Sequence, residues 1–203
     1  MREILKDKIF WMLSIALAGI VFVTATNSNY AYQAEVEILF LPKNEAVASS
    51  TDQVLGNAEH LATLLSFYDR ILSDNGDIED EAVELSATER KKFWNDVIAT
   101  EQIEGSGILK IIVVKDSQSQ AGMIARQSAE TLIGVMSRLY DIRTELDMRI
   151  VDGPAIDQVK KISTILWLVM SLFFGMLAGL IINTAIEFGV KRLSAKKAER
   201  RLD

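Results

Sequence analysis

Few side chains in this 203-residue sequence are of the types that perform chemistry. His60 is the single histidine, and it lies near Asn57 and Leu64, away from the apolar stripe of its predicted helix. A catalytic base needs a partner acid or nucleophile within hydrogen-bond reach, and the surrounding sequence offers no such set. The chain has no cysteine, which excludes thiol nucleophiles, thiolate metal ligands and disulfides. The residues therefore predict a protein that is not an enzyme, with no catalytic residue and no cofactor.

An acidic run from Asp74 to Glu84 is the second candidate for chemistry, because carboxylates are the usual ligands of calcium. When Gly76 is placed at the glycine position of an EF-hand loop, however, the apolar Ile71 falls on the first ligand position. We therefore predict a solvated loop and no metal site.

Charge is distributed unevenly along the chain. Residues 27–161 contain 23 acidic and 13 basic residues, a net charge of −10, whereas residues 191–203 contain six basic and two acidic residues. Lysine and arginine close to the end of an apolar helix are typical of a cytoplasmic flank. Membrane topology thus explains the basic tail, and we predict no binding to nucleic acid.

Two apolar runs predict transmembrane helices, at residues 9–26 and 162–186. The second contains a stretch of 24 residues, Ser163 to Ile186, without an ionisable side chain. At about 1.5 Å per residue this stretch exceeds the roughly 30 Å of bilayer hydrocarbon. Within it, Gly175 and Gly179 form a small-xxx-small pair, which lets two helix backbones approach closely. We predict helix packing in the membrane at these two residues; the alternative is that glycine is simply common in membrane helices.

Basic residues flank the pair of spans at both ends of the chain, which predicts a hairpin in the plasma (inner) membrane with both termini in the cytoplasm. Residues 1–8 are then the cytoplasmic N-terminus, residues 27–161 an extracytoplasmic domain and residues 187–203 a basic cytoplasmic tail. A cleaved signal peptide is the alternative for the first run, but its apolar region is normally about 7 to 15 residues.

The periodicities of the central domain predict strand, helix, helix, strand, strand, helix, strand. The predicted strands are residues 32–41, 99–104, 108–114 and 146–150, and the predicted helices are residues 51–73, a helix from Ser86 that carries Phe93, Trp94, Val97 and Ile98 inward, and residues 117–143. This is the order of a ferredoxin-like split βαβ unit with a doubled first helix. We therefore predict an α+β fold, a ferredoxin-like extracytoplasmic domain between two transmembrane helices.

Three details of this domain follow from local sequence. The apolar strand 108–114 predicts a position in the middle of a sheet, covered on most of both faces. Leu139 and Ile142 continue the apolar stripe of the last helix. Residues 152–154, Asp-Gly-Pro, predict the end of the last strand and a linker of about eight residues to the membrane.

The order of these parts resembles the polysaccharide co-polymerases, or Wzz-type chain-length determinants, over nearly the whole chain. The matching local features are the pattern Tyr-x-Ala-x-Val-x-Ile at residues 32–38 and Asp-Gly-Pro-Ala at residues 152–155, before a glycine-containing second span. Pro154 stands alone where the family often has several prolines. The helix 117–143 is shorter than the long helices of enterobacterial members, so the chain is similar to the base domain alone and to the short membrane adaptors of capsule tyrosine kinases.

The resemblance implies a non-enzymatic membrane assembly factor of the cell envelope. Such a factor modulates the chain length, polymerisation or export of a surface polysaccharide, acts as a homo-oligomer, and has a polysaccharide polymerase or the export machinery as partner. Two alternatives remain open: an adaptor that activates a separate cytoplasmic tyrosine kinase, and a two-span extracytoplasmic sensor.

The predicted topology can be tested with spheroplasts, because a protease added outside reaches only extracytoplasmic segments. We expect the protease to remove residues 27–161 and to spare an epitope fused to the C-terminus. Protection of the central domain together with loss of the epitope would reverse the topology.

Overall fold

The structure, a computed structural model, describes residues 8–27 and 29–199. Residues 1–7 of the predicted cytoplasmic N-terminus and the last four residues of the predicted tail lie outside the described residues. Eleven elements follow one another along the described chain: α1 (Lys8–Asn27), β1 (Tyr30–Pro42), α2 (Glu45–Ala48), α3 (Thr51–Ala62), α4 (Leu65–Asp74), α5 (Ala87–Val97), β2 (Ile98–Ile103), β3 (Ile108–Lys115), α6 (Gln118–Leu139), β4 (Leu146–Lys160) and α7 (Thr164–Glu199).

The chain divides into two compact units. One contains α1 and α7 and is called the helix pair; the other spans Ala31–Val159 and is called the α+β unit. Among the described residues, the segment Thr164–Ile186 of α7 is long and apolar enough to cross a membrane. The apolar part of α1, Phe10–Thr26, is shorter, so the prediction of two transmembrane helices is not confirmed. The helix α7 continues through residues 187–199, which the sequence had assigned to a separate tail; these residues are rich in strong helix formers.

The α+β unit is built on a four-stranded antiparallel sheet with the strand order β2-β3-β1-β4. In the centre of the sheet Val36 of β1 lies opposite Ile111 of β3, and Ile98 of β2 lies opposite Val113. The helices α2 to α5 connect β1 to β2, and α6 connects β3 to β4. Each connection therefore joins two strands that have a third strand between them. The predicted α+β class is confirmed.

The core lies between the helices and one face of the sheet. On β3, Leu109, Ile111 and Val113 are fully buried, whereas the alternating Ile108 and Ile112 are only half-buried. The strand lies in the interior of the sheet, as predicted; one face is fully buried and the other is half-buried, so coverage of the second face is partial.

The predicted helix 51–73 is divided into α3 and α4 by a break at residues 63–64. The break is explained by Trp94 of α5, whose indole N–H donates a 2.8 Å hydrogen bond to the carbonyl oxygen of Ala62. That indole is fully buried and stacks on Tyr68 of α4, with 4.8 Å between the ring centroids. A continuous helix would use the Ala62 carbonyl internally, and the buried indole would lose its acceptor.

Local capping fixes the start of α5 and the end of α6. The side chain of Ser86 caps α5, and Glu89 completes the predicted capping box. The helix α6 ends at Leu139, which is exposed. It ends there because the next residues form a turn in which the Asp141 carboxylate accepts hydrogen bonds from the Arg143 N–H and the Thr144 hydroxyl. Ile142 lies in that turn and is half exposed, so the prediction that Leu139 and Ile142 belong to the apolar stripe is wrong.

The strand β4 runs on to Lys160, so the prediction that residues 152–154 end it is wrong. The strand lies at the edge of the sheet, where a proline need not donate a ladder hydrogen bond. Gly153 has a φ of 97°, and a Cβ at this position would lie 2.9 Å from the Cα of Val36 in β1. Glycine is therefore required at position 153. The residues that the sequence predicted to be a linker to the membrane belong to β4 instead.

The acidic loop, residues 75–86, is anchored to the core rather than simply solvated. Ile78 and Ala82 are buried, and the 7% exposed Lys115 of β3 forms a 2.6 Å ion pair with Glu81. These contacts fix the loop against the helices, so the prediction of a solvated loop is only partly met.

The centre of this anchor is Asp80. Its carboxylate accepts hydrogen bonds from the Tyr68 hydroxyl at 2.9 Å and from Arg90 at 2.9 Å, and Arg90 also pairs with Asp69 at 2.7 Å. Burial alone would raise the pKa of the Asp80 carboxyl, but the hydrogen bonds from Tyr68 and Arg90 outweigh burial and hold this pKa below its ordinary value. The charged form of Asp80 therefore stabilises the folded unit.

We expect Asp80→Asn to lower the free energy of unfolding at pH 7 by about 1 to 3 kcal/mol, because a charge-assisted hydrogen bond is lost. A lowered carboxyl pKa contributes stability above the pKa of the unfolded chain, near about 4, and this contribution disappears as the pH falls further. The wild-type protein should therefore lose stability in that range, and the variant should lose less. Urea unfolding of the full chain in mild detergent measures both effects.

The matched control is Asp77→Asn, which changes an exposed carboxylate of the same loop. If the Asp80 and Asp77 variants have the same free energy of unfolding at every pH, the role of Asp80 is contradicted.

Candidate functional site

The site residues predicted from the sequence, Gly175 and Gly179, lie on the buried face of α7 within the helix pair. That face consists of residues at a strict four-residue spacing, and all are buried: Ser171, Gly175, Gly179 and Asn183. The facing side of α1 repeats the spacing with Phe10, Ser14 and Ala18, which are also buried. Two ridges of residues four apart thus pack against each other, as in the close helix crossings that small residues permit.

The two glycines allow the backbones of α1 and α7 to approach. A Cβ at Gly175 would lie 2.7 Å from the Cβ of Ala18 and 2.9 Å from its backbone nitrogen. A Cβ at Gly179 would overlap the hydroxyl of Ser14 and lie 3.3 Å from the ring of Phe10. Since the earlier residue of α1 meets the later residue of α7, the helices are antiparallel. The partner helix of the two glycines is therefore α1 of the same chain, whereas self-association remains a prediction.

Polar groups lie inside this apolar contact. Ser14 and Asn183 are 3% and 6% exposed, and neither the Ser14 hydroxyl nor the Asn183 amide nitrogen has a hydrogen-bond partner in the described part of the chain. Ser171 instead donates to the carbonyl oxygen of Leu168 at 2.9 Å. Ser171 and Asn183 were not predicted from the sequence, although they continue the four-residue spacing of the two glycines in both directions.

A second feature of the helix pair is a set of hydrogen bonds between Asn29, which follows α1, and residues 161–162, which precede α7. The side-chain amide of Asn29 donates to the carbonyl oxygen of Ile162, and the Ile162 N–H donates back to the Asn29 side-chain oxygen at 3.0 Å. The backbone N–H of Lys161 donates to the Asn29 carbonyl oxygen at 3.1 Å. These three bonds, here called the Asn29 clasp, hold the end of α1 and the start of α7 together.

The remaining candidates for chemistry are distributed over the α+β unit. His60 is exposed on α3, and the structure brings no catalytic partner to it among the hydrogen bonds and ion pairs of the described residues. Within residues 8–27 and 29–199, no group of three or more His, Cys, Asp or Glu side chains has the geometry to hold a metal ion.

Two cavities open on the surface of the α+β unit. The larger, of about 450 Å³, lies between the start of α3 and the turn that joins β2 to β3. The smaller, of about 270 Å³, lies between α6 and β4, where Arg126 and Glu130 form an ion pair beside Gly153 and Pro154. The sequence had predicted neither, because each is lined by segments far apart in the chain.

No protein-family model matches the chain, and no curated protein is significantly similar to it.

The packing of the helix pair predicts the effect of larger residues at the two glycines. We expect the double substitution Gly175→Ile and Gly179→Ile to lower the melting temperature in mild detergent, because each new side chain overlaps α1. Overpacking of this kind typically costs about 1 to 3 kcal/mol per site.

Gly19→Ile is the matched control, because a Cβ at Gly19 of α1 would meet no atom within 4 Å. If the double variant melts like this control, the glycines are not in a close contact. A lower native mass of the double variant would additionally support a self-association that depends on the intact helix pair.

Proposed function

We propose that the protein is a non-enzymatic membrane assembly factor that acts as a homo-oligomer and modulates the chain length, polymerisation or export of a surface polysaccharide. The observation that carries the proposal is the way the two units are joined. The helix α1 ends at Asn27 and β1 begins at Tyr30, while β4 ends at Lys160 and α7 begins at Thr164. A small α+β unit is thus connected by both of its terminal strands to one helix pair.

We further infer that both helices cross the plasma (inner) membrane and that the α+β unit is extracytoplasmic. With 20 residues at about 1.5 Å per residue, α1 is about as long as the roughly 30 Å hydrocarbon core. Its contact with α7 along two ridges supports a paired span, because a short apolar helix gains stability from a packed neighbour. The basic residues before the apolar part of α1 and after the apolar segment of α7 support cytoplasmic termini.

The topology of the α+β unit supports the ferredoxin-like assignment. In a split βαβ unit, each helical connection joins parallel strands that enclose a third, antiparallel strand. The order β2-β3-β1-β4 and the antiparallel pairs β1–β3 and β2–β3 have this form. The doubled first helix corresponds to the predicted helix 51–73, which is divided into α3 and α4, and to α5, which carries Trp94 into the core.

A protein of this kind would alter a polymer by holding or timing another enzyme. A ring or cluster of copies presents many equivalent surfaces to one growing chain, and avidity rises although each contact is weak. The net charge of −10 in residues 27–161 favours contact with a neutral or cationic partner, since an anionic glycan would be repelled at low salt.

One observation favours the adaptor variant of this proposal. The helix α7 extends to Glu199, 13 residues beyond the apolar segment that ends at Ile186. A helix that continues past the membrane with a basic sequence could bind a separate cytoplasmic tyrosine kinase.

Deletion of the gene tests the proposed function. We expect the length distribution of the surface polysaccharide on a gel to change while its sugar composition stays the same, because the protein is proposed to act on assembly only. Loss of all polymer together with lost kinase phosphorylation would favour the adaptor. An unchanged length profile and amount would contradict both and favour a sensor.

A further inference from the structure

The larger cavity of the α+β unit, here called the hairpin cleft, has the size of a ligand site. Its volume of about 450 Å³ lies within the range of roughly 300 to 1,000 Å³ that is typical of small-molecule sites. The first turn of α3 contributes Thr51, Asp52 and Leu55 to its lining. The other wall is the end of β2 and the turn to β3, residues 102–105 and 107. Two elements about 50 residues apart in sequence thus form one concave surface.

The lining combines free acceptors with an apolar surface. Asp52 and Glu104 are exposed, and within residues 8–27 and 29–199 neither carboxylate takes part in a hydrogen bond or an ion pair. Leu55 is buried and Ile103 half-buried, and both line the cleft. The lining residues include no lysine or arginine, so an anionic group would be repelled. The surface fits a ligand without anionic groups that offers hydrogen-bond donors along one side and an apolar face on another.

The wall formed by the turn is fixed without a ligand. The side-chain amide of Gln102 donates to Glu59 of α3 at 2.8 Å. Gly107 has a φ of 69°, its carbonyl oxygen accepts from the Phe40 N–H at 2.8 Å, and a Cβ at this position would lie 2.9 Å from the Phe40 carbonyl oxygen. A preorganised wall lowers the cost of binding, because little conformational freedom remains to be lost.

A divalent cation is a poorer occupant of the hairpin cleft. Calcium takes six to eight oxygen ligands, usually with several carboxylates among them. The lining has two carboxylates, and no group of three or more metal-ligating side chains occurs among the described residues.

We propose that the hairpin cleft binds neutral sugar residues of a glycan chain. Asp52 and Glu104 accept hydrogen bonds from sugar hydroxyls, and Leu55 and Ile103 contact the apolar C–H face of a sugar ring. The choice of a neutral glycan rests on the proposed function, whereas the donor-bearing character of the ligand and its lack of anionic groups follow from the lining itself. Each copy in an oligomer would then hold the growing chain weakly, which is what avidity requires.

The test uses the full chain in lipid nanodiscs, since detergents with sugar head groups would compete. Calorimetric titrations employ four neutral trisaccharides, namely maltotriose, cellotriose, mannotriose and chitotriose, together with the anionic trigalacturonate and calcium chloride. We expect saturable binding of at least one neutral trisaccharide and at least tenfold weaker binding of trigalacturonate. The double variant Asp52→Asn and Glu104→Gln should weaken the neutral sugar by at least tenfold, because both acceptors lose their charge.

The control variant, Asp77→Asn with Glu84→Gln, removes two exposed carboxylates from the acidic loop and should bind like the wild type. Any of four outcomes would overturn the inference. These are an equal loss of sugar affinity in both double variants, no binding of any neutral trisaccharide, tighter binding of trigalacturonate, and binding of calcium alone. The outcome is separable from the proposed function. If gene deletion changes glycan length but no trisaccharide binds, the cleft proposal fails by itself; if a trisaccharide binds as expected but deletion changes nothing, the proposed function fails by itself.

Discussion

The close approach of α1 and α7 is the constraint on which the helix pair depends. If both helices lie in lipid, as proposed, the hydrophobic effect gives them no reason to associate, so their association needs packing at short distance. Gly175 and Gly179 provide that distance, because any Cβ there would overlap Ser14 or Ala18. The three hydrogen bonds of the Asn29 clasp then hold the C-terminal end of α1 to the N-terminal end of α7. The small side chains of both ridges thus allow contact between backbones; of the large apolar side chains, Phe10 packs in the contact, whereas Phe173 is exposed.

The α+β unit is stabilised by different means. A core of apolar side chains lies on one face of the sheet, and Trp94 links α5 to α3 through the free carbonyl of Ala62. Asp80 and Lys115 bind the acidic loop to the same core. Many acidic residues are therefore ordered in the fold, while those at the hairpin cleft are left as acceptors. This division explains how a unit with a net charge of −12 over residues 31–159 can be compact and still expose carboxylates at the hairpin cleft.

Much of this architecture could be predicted because its signals are local. The capping box at Ser86 lies within four residues, and the alternation in β1 is a property of one strand. The break after Ala62 could not be predicted, since it depends on an indole 32 residues away. The passage of β4 through Pro154 depends on its edge position, which belongs to the topology and not to the strand's own sequence. For the site, spacing identified Gly175 and Gly179, but the register against α1 cannot be read from two uniformly apolar helices.

The most direct test of the account is whether α1 and α7 of one chain are in contact at Ser14 and Gly179. The chain has no cysteine, so the pair Ser14→Cys and Gly179→Cys introduces its only thiols. A Cβ at Gly179 would lie 3.2 Å from the Cβ of Ser14, close to the roughly 3.5 to 4.5 Å of a disulfide. Oxidation in native membranes should form a disulfide within one chain. After a protease cuts the chain between the two cysteines, the fragments should stay together until the disulfide is reduced. The control pair Ser14→Cys and Ile181→Cys, with Ile181 on the exposed face, should form no disulfide. Disulfides only between chains, or equal yields from both pairs, would contradict the packed helix pair.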